Sequence, residues 1–296
     1  MNLKWNGLAL SLLLIASTLL AADVPKGAPA AGTGELTVGK PTWHDDSAAA
    51  YKEAKEQKKQ LLIVFRNDEL KGFEQSALDN DRLFPLLNKV VRVKVPLDAA
   101  IVVAESKQET PQKLLDLPAF SQMYKKPGFA IIDLTDEKAP YYAQVVSSHP
   151  LNTVYQTNAD LLRNVLLLPN ATATQRALVL AVRTHPEVPQ SATGIAEPFL
   201  MEQARHHSQL MVNYGSVGHH DWGTRSAEVS ARLGSPSEVA SMGSSENLLE
   251  AAREALDLWR GSGVHWGMVV TPHQYFGYDM VRSPGGGWYA TGIFAN

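Results

Sequence analysis

Four short apolar segments between residues 61 and 146 constrain the fold more than any other feature of the sequence. They read LLIVF (61–65), VVRVKV (90–95), FAIIDL (129–134) and YYAQVV (141–146). Runs of this length, rich in β-branched and aromatic residues, predict strands. Helical segments are predicted around them, at 47–57 after a cap at Asp46 or Ser47, near Phe73, and at 158–168 after Asn158. Strands that alternate with helices predict α/β packing.

Composition excludes several classes of function. The chain has 296 residues, a formal net charge of −3 and no cysteine. Without cysteine there is no disulfide, no thiolate metal ligand and no CxxC redox centre. The nearly balanced charge gives no basic surface for nucleic acid, so we expect no nucleic-acid partner. The length predicts about two domains.

The first 22 residues, MNLKWNGLALSLLLIASTLLAA, are typical of a secretory signal peptide (1–22). Lys4 precedes an apolar stretch, and two alanines end it. An uncleaved anchor is the alternative, although the stretch is short for a membrane span. Residues 23–40, rich in Pro, Gly and Ala, predict a flexible leader. We therefore expect an exported protein, in the bacterial periplasm or cell envelope or secreted, with no membrane span after signal removal.

Residues 41–169 resemble the thioredoxin-like fold. The resemblance rests on the strand LLIVF, on RVKV followed by Pro96-Leu97-Asp98, and on KKPGFAIIDL (125–134). It implies a cis peptide bond at Pro127 before a central strand. Members of that family carry a CxxC after the first of these strands, where this chain has FRNDELKGFE (65–74). The expectation is a thioredoxin-like domain without redox activity, suited to docking or support, that ends near Pro169.

From Thr172 onwards the sequence predicts a second unit. Helices are predicted at 174–185, 197–215 and 246–263, with a glycine-framed loop at 215–225 that holds His219, His220, Asp221, Trp222 and Arg225. Trp222 and Arg225 are interpreted as residues that fix this loop. His207 falls in an apolar helical stripe and is interpreted as a core histidine. His273, beside Pro272, is expected in an exposed turn, and Tyr275, Phe276 and Tyr278 in a strand before the closing strand at 286–295.

This succession resembles the CAP superfamily, named for cysteine-rich secretory proteins, antigen 5 and pathogenesis-related proteins, in its cysteine-free bacterial branch. The motifs that carry the resemblance are, in order, ARHHSQLM (204–211), Gly218-His219 with Arg225, Glu238-Val239-Ala240-Ser241, WRGSGVH (259–265) and Gly287-Trp288-Tyr289. The resemblance covers 172–296 and implies a three-layer α-β-α sandwich. The fold class expected for the whole chain is therefore α/β and α+β, a thioredoxin-like domain followed by a CAP-type sandwich.

The resemblance also implies a site. Many CAP members line a cavity with two histidines and two acidic residues that can hold a divalent metal, and the motifs place His219, His265 and Glu238 at three of these positions. The fourth acidic position falls on Ser262. An asparagine normally follows the glutamate, where this chain has Val239, and Glu246-Asn247 is a competing match for that pair. His220 is the alternative to His219, since only one of the two neighbours is expected to face the cavity.

Two imidazoles and one carboxylate with an open position suit Zn²⁺ or another divalent cation, so a metal cofactor stays open. We favour a binding protein that captures an unknown ligand or envelope component in the His/Glu-lined cavity. A metal-dependent hydrolase that uses His219, Glu238 and His265 is the alternative, and without metal the histidine–glutamate pair could act as general base and acid. Two further hypotheses stay open. One is a thioredoxin-like chaperone anchored by the CAP domain, and the other is a polar cavity that binds no ligand. Ser262 shows no base that would make it a nucleophile.

Overall fold

Two four-stranded sheets and a small two-stranded sheet, with helices packed around them, make up the described part of the chain. The structure is a computed structural model, and it describes residues 39–101, 111–151 and 153–296. The predicted signal peptide (1–22) and nearly all of the predicted leader (23–40) lie outside the described residues. All described residues belong to one compact unit.

The strands and helices are short and interleaved along the chain. The strands are β1 (Leu61–Arg66), β2 (Val91–Pro96), β3 (Ala100–Ile101), β4 (Gln112–Lys113), β5 (Gly128–Ile132), β6 (Val145–Pro150), β7 (Ile195–Ala196), β8 (Pro236–Gly243), β9 (Tyr275–Arg282) and β10 (Trp288–Ala295). The helices are α1 (Ser47–Glu56), α2 (Lys71–Phe73), α3 (Phe84–Leu87), α4 (Ala159–Leu166), α5 (Ala173–Thr184), α6 (Pro198–Tyr214), α7 (Trp222–Leu233), α8 (Leu248–Arg260) and α9 (Gly263–Val270).

The first sheet has the strand order β2-β1-β5-β6. Strands β1 and β2 are parallel, whereas β5 runs antiparallel to both β1 and β6. The strands predicted at 61, 90 and 129 are confirmed to within two residues. The fourth begins at Val145 and not at Tyr141, because the chain turns at Ala143, whose φ is 56°. Ala143 N donates to Asp133 O within that turn.

Side-chain caps begin two of the helices that the sequence predicts. The Asp46 carboxylate accepts from Ala48 N and Ala49 N at the start of α1. The Asn158 amide oxygen accepts from Leu161 N at the start of α4. Both contacts satisfy backbone donors that the helix itself leaves free, so these predicted starts are confirmed.

The predicted cis bond at Pro127 is wrong. No described peptide bond is cis. The irregular backbone lies two to three residues before Pro127, where Tyr124 and Lys125 both adopt left-handed angles, with φ of 50° and 56°. Pro127 then enters β5 with a trans bond, and its carbonyl accepts from Leu151 N.

The second sheet has the order β7-β9-β10-β8, in which β9, β10 and β8 are antiparallel. Neighbouring residues of a strand point to opposite faces, and β9 shows what covers each face. At Gly277 the backbone of α6 comes so close that a Cβ would lie 2.2 Å from Leu200 C. At Tyr278 the ring meets Trp259 of α8, with centroids 5.9 Å apart. Helices α6 and α8 therefore cover opposite faces of this sheet.

Helix α5 is buried all round. Eight consecutive residues, from Gln175 to Val182, are buried, whereas a surface helix buries only one stripe. The helix contacts β6 of the first sheet and β9 of the second, as well as α4 and α8. The predicted boundary near Pro169 lies directly before it, where Asn170 accepts from Gln60 and donates to Thr135. One hydrophobic cluster accordingly includes residues of both sheets.

None of the helices in the described ranges is both long and apolar enough to cross a membrane.

Candidate functional site: a buried glutamate between histidines and an arginine

Glu238 is the centre of the site. It lies on β8, where it pairs across the sheet with Ile293 of β10. Ile293 packs against Leu200 of α6 and Val229 of α7, so Glu238 points to the same, α6-covered face. Only 1% of its side chain is exposed. A buried carboxylate requires partners, and three basic side chains approach it.

Arg225 supplies the charge that balances Glu238. Its Nη1 contacts Glu238 Oε2, and Nη2 lies 3.1 Å from Oε1, so the pair is bidentate. Nε and Nη2 also donate to His220 O, at 3.0 and 2.8 Å. The interpretation of Arg225 as a residue that fixes the loop is thus confirmed. The loop itself is shorter than predicted, because helix α7 begins at Trp222, whose ring lies 5.2 Å from the guanidinium.

His219 joins the buried carboxylate to the surface. Its Nδ1 donates to Glu238 Oε1 at 2.8 Å, while 46% of the side chain remains exposed. The ring of His265 stands edge-on to that of His219, with centroids 5.8 Å apart. The structure therefore brings together the three residues that the CAP resemblance selected, from a loop, a strand and the first turn of α9.

Ser262 and His220 lie near Glu238, His219 and His265, but their side chains make other contacts. Ser262 caps α9, and its Oγ accepts from His265 N at 3.5 Å. The hydroxyl thus positions the helix that carries His265. The ring of His220 turns to Tyr214, 4.6 Å away, and its Nε2 donates to Ser216 O. Of the two neighbouring histidines, His219 is the one that contacts Glu238.

His207 belongs to the site, although the sequence pointed only to a core residue. It is fully buried on α6, as predicted, and its Nδ1 lies 3.3 Å from Glu238 Oε2. Its Nε2 donates to Gly218 O, so a neutral ring leaves Nδ1 to accept from Thr291. The ring therefore ties α6 to the loop before His219. The contact with Glu238 depends on strand register, which no local sequence pattern carries.

Burial and pairing set the protonation of the group. Burial raises the pKa of Glu238, but the hydrogen bonds from His219 and Arg225 outweigh it, so the pKa lies below its usual value. Burial lowers the pKa of His207 to about 4, so this ring is neutral at pH 7. Burial and the neighbouring His219 lower the pKa of His265. The site at neutral pH is thus a compensated ion pair beside neutral imidazole.

As arranged, Glu238 is not available as a metal ligand. Both Glu238 oxygens accept from Arg225, and Oε1 also accepts from His219 Nδ1, so the carboxylate is not free to ligate a metal, whereas Nε2 of His219 is not engaged by Glu238. In the described ranges no group of three or more His, Asp or Glu side chains is placed to hold a metal. Zinc ligation requires deprotonated, convergent donors, and Arg225 occupies the place of the cation.

The expectation of an exposed turn at His273 is wrong. The ring is buried and stacks on Phe294, with centroids 4.5 Å apart. Its Nε2 donates to Met268 O, and its Nδ1 accepts from Asn296. Pro272 ends α9, and the next residue turns inward to pack on β10. The strand assignment of Phe276 and the residues after it is confirmed by β9.

Comparison of the chain with family profiles, with curated proteins and with solved structures gives no match.

Proposed function

We propose that the protein is an exported binding protein, and that the face formed by His219 and His265 takes up an uncharged, hydrogen-bonding ligand of the cell envelope, such as a carbohydrate. The single observation that carries the proposal is the contact of the two rings over a buried, charge-compensated Glu238. The motifs of the CAP resemblance favour the same residues. Export rests on the signal-peptide pattern of residues 1–22.

The charges favour an uncharged ligand. Arg225 already compensates Glu238, so the pair attracts neither a cation nor an anion strongly. Neutral imidazole offers one donor and one acceptor, which is what a sugar hydroxyl needs. The hydrogen bond from His219 to Glu238 fixes a donor at Nδ1 and leaves Nε2 of that ring free of Glu238.

The rim favours a ligand with apolar faces. Val264, next to His265, is 70% exposed, and Val217, two residues before His219, is 47% exposed. Tyr214 is 60% exposed and lies against His220. Exposed aliphatic and aromatic side chains beside polar groups are typical of ligand sites, and sugar rings present CH faces to such surfaces.

The finer fold assignments support this function. The order β2-β1-β5-β6, with β1 and β2 parallel, agrees with a thioredoxin-like first half. Helices α6 and α8 on opposite faces of the second sheet agree with a CAP-type sandwich. On this proposal the first half has no redox role and supports or docks the binding half.

The test is calorimetry and saturation-transfer NMR with a tetramer of N-acetylglucosamine at pH 7. We expect saturable binding that weakens about tenfold or more in His219→Ala and His265→Ala, since each removes about one hydrogen bond of 1–1.5 kcal/mol. His206→Ala is the matched control, because His206 is the exposed neighbour on α6 and points away from the site. Absence of tetramer binding, or equal loss in His206→Ala, refutes the proposal.

One observation favours a second candidate, a hydrolase without metal. A buried carboxylate that holds the Nδ1–H of His219 leaves Nε2 as a general base for water. The same samples decide between the two, because analysis of the tetramer by mass after incubation detects cleaved products. Cleavage that disappears in His219→Ala would establish the second candidate.

A further inference from the structure

A second group of polar side chains surrounds a cavity that shares no lining residue with the Glu238 site. Strand β6, helix α5 and the N-terminal end of α8 enclose a cavity of about 60 Å³. One ordered water needs roughly 10–15 Å³ by the same measure, so the space accommodates a ligand of several non-hydrogen atoms. Ala119 lines its edge and is exposed, which gives access from solvent.

Arg176 brings a buried positive charge to this cavity. Only 1% of the residue is exposed. Its guanidinium donates to three uncharged oxygens, Ser147 Oγ at 2.9 Å, Pro169 O at 2.8 Å and Val165 O at 3.1 Å. Two of its five N–H groups remain after these bonds. Burial lowers the pKa of Arg176 to about 10, so the charge persists at neutral pH.

No carboxylate at the cavity wall forms an ion pair with Arg176. Among the residues described there, none is Asp or Glu. Asp133 is close enough to raise the pKa of Arg176, but its oxygens accept from Gln60 and Thr135 instead. Asp133 therefore balances the charge of Arg176 only from a distance, without a direct ion pair. An anion in the cavity would therefore find both space and an attractive positive charge.

Two further features of the wall point the same way. His149 is 2% exposed, lines the cavity, and its Nδ1 has no partner among the described groups. Buried polar atoms normally have a partner. The first residues of α8, Asn247 to Leu249, also line the cavity and bring the positive end of that helix dipole.

The rest of the wall is apolar. Leu168, Ala177 and Leu180 contribute to it, and Ser148 and Thr153 add neutral polar groups. A fully hydrated inorganic ion gains little from such a wall, whereas a short hydrocarbon chain does. The ligand that fits both parts has an anionic head and a short apolar tail.

We propose that the cavity between β6, α5 and α8 binds a small aliphatic monocarboxylate, whose carboxylate contacts Arg176 and whose hydrocarbon part contacts Leu168 and Leu180. The contact is charge-assisted and gives the guanidinium a direct ion-pair partner. This site is independent of the His219–His265 face.

The experiment is a calorimetric and NMR titration of the full chain with butyrate, with butyramide and inorganic phosphate as comparisons. We expect saturable 1:1 binding of butyrate, at least about tenfold weaker binding of butyramide because it lacks the charge, and weaker binding of phosphate because it lacks the tail. Amide signals of Ala119 and Ser148 should shift with butyrate. Equal binding of butyrate and butyramide, or no saturable binding of butyrate, overturns the proposal.

Two variants locate the binding. Arg176→Met removes the charge and should weaken butyrate binding at least about tenfold. Because Arg176 also supports three backbone and side-chain oxygens, that variant can fail to fold, so Ala119→Phe, at an exposed position, is the second. It narrows the entrance and should weaken binding to a similar degree, whereas Ala227→Phe, at an exposed position of α7, should leave it unchanged. Unchanged affinity in Ala119→Phe overturns the proposal whatever Arg176→Met does.

Discussion

Replacing Arg225 by methionine tests whether the ion pair with Glu238 organises the site. Methionine is similar in length, so the change removes the charge and the hydrogen bonds with little change in volume. Arg225 is 4% and Glu238 1% exposed at the side chain. Removal of one partner from a buried pair costs about 3–5 kcal/mol, because the other charge stays buried. His219 still donates to the carboxylate, so we expect the lower end, about 3 kcal/mol.

Urea unfolding at pH 7, followed by tryptophan fluorescence and far-UV circular dichroism, measures this loss. About 3 kcal/mol corresponds to roughly a hundredfold change in the unfolding equilibrium. The double variant Arg225→Met/Glu238→Leu should recover part of the loss, because it removes both charges together. A single-variant cost below about 1 kcal/mol, or a double variant no more stable than the single one, would refute the reasoning.

The pH dependence of the unfolding free energy gives an independent test of this ion pair. In the wild type the lowered pKa of Glu238 stabilises the folded state above the unfolded pKa, and this stability is lost as the pH falls through the folded value. Without Arg225, burial dominates and the pKa rises, so the carboxyl prefers to be protonated in the folded state. The difference in unfolding free energy between wild type and Arg225→Met should therefore shrink as the pH falls from 7 towards 4. A difference that stays constant over this range contradicts the assignment.

Three other outcomes follow from single features. Burial raises the pKa of Asp279 to about 6, so the wild-type free energy of unfolding should fall by on the order of 2 kcal/mol as the pH rises from 4 to 6, and Asp279→Asn should flatten this fall in urea titrations; an unaltered profile speaks against it. Gly277→Ala should cost about 1–3 kcal/mol in thermal or urea unfolding, since its Cβ would lie 2.2 Å from Leu200 C. Gly267→Ala, with nothing within 4 Å, is the control and should be neutral or stabilising. Zn²⁺ calorimetry should give no stoichiometric site in wild type or in His265→Ala, because a guanidinium already occupies the carboxylate; a 1:1 site lost in the variant would restore the metal prediction.

The elements that the sequence predicts well are those with strong local signals. The run at 61–65 contains five consecutive apolar residues, and β1 begins and continues with them. The helix at α6 begins with Pro198 and ends at Gly215, whose φ of 67° suits glycine. Both residues act through local geometry, which is why their positions in the sequence suffice.

The parts of the site that the sequence misses depend on long-range pairing. Glu238 accepts from Arg225 only because β8 pairs with β10 in one register and places it under α7. Helix α7 begins after Asp221 without a side-chain cap, so the usual start signal is lacking. His207 reaches the same carboxylate from α6. Sequence spacing selects the residue types, but the hydrogen bonds among them are a property of the packed sheet.

The burial of α5 on every side has a consequence for how this chain can be divided or varied. A polypeptide that ends near Pro169 would lack the helix that contacts β6, and one that begins there would expose to water the side of this helix that β6 and α4 cover. Helix α5 is thus packed against both sheets, so the size and shape of its side chains must fit both of them. We therefore infer that both halves lose packing at α5 when they are separated, and that a change of volume in this helix affects the packing of both sheets.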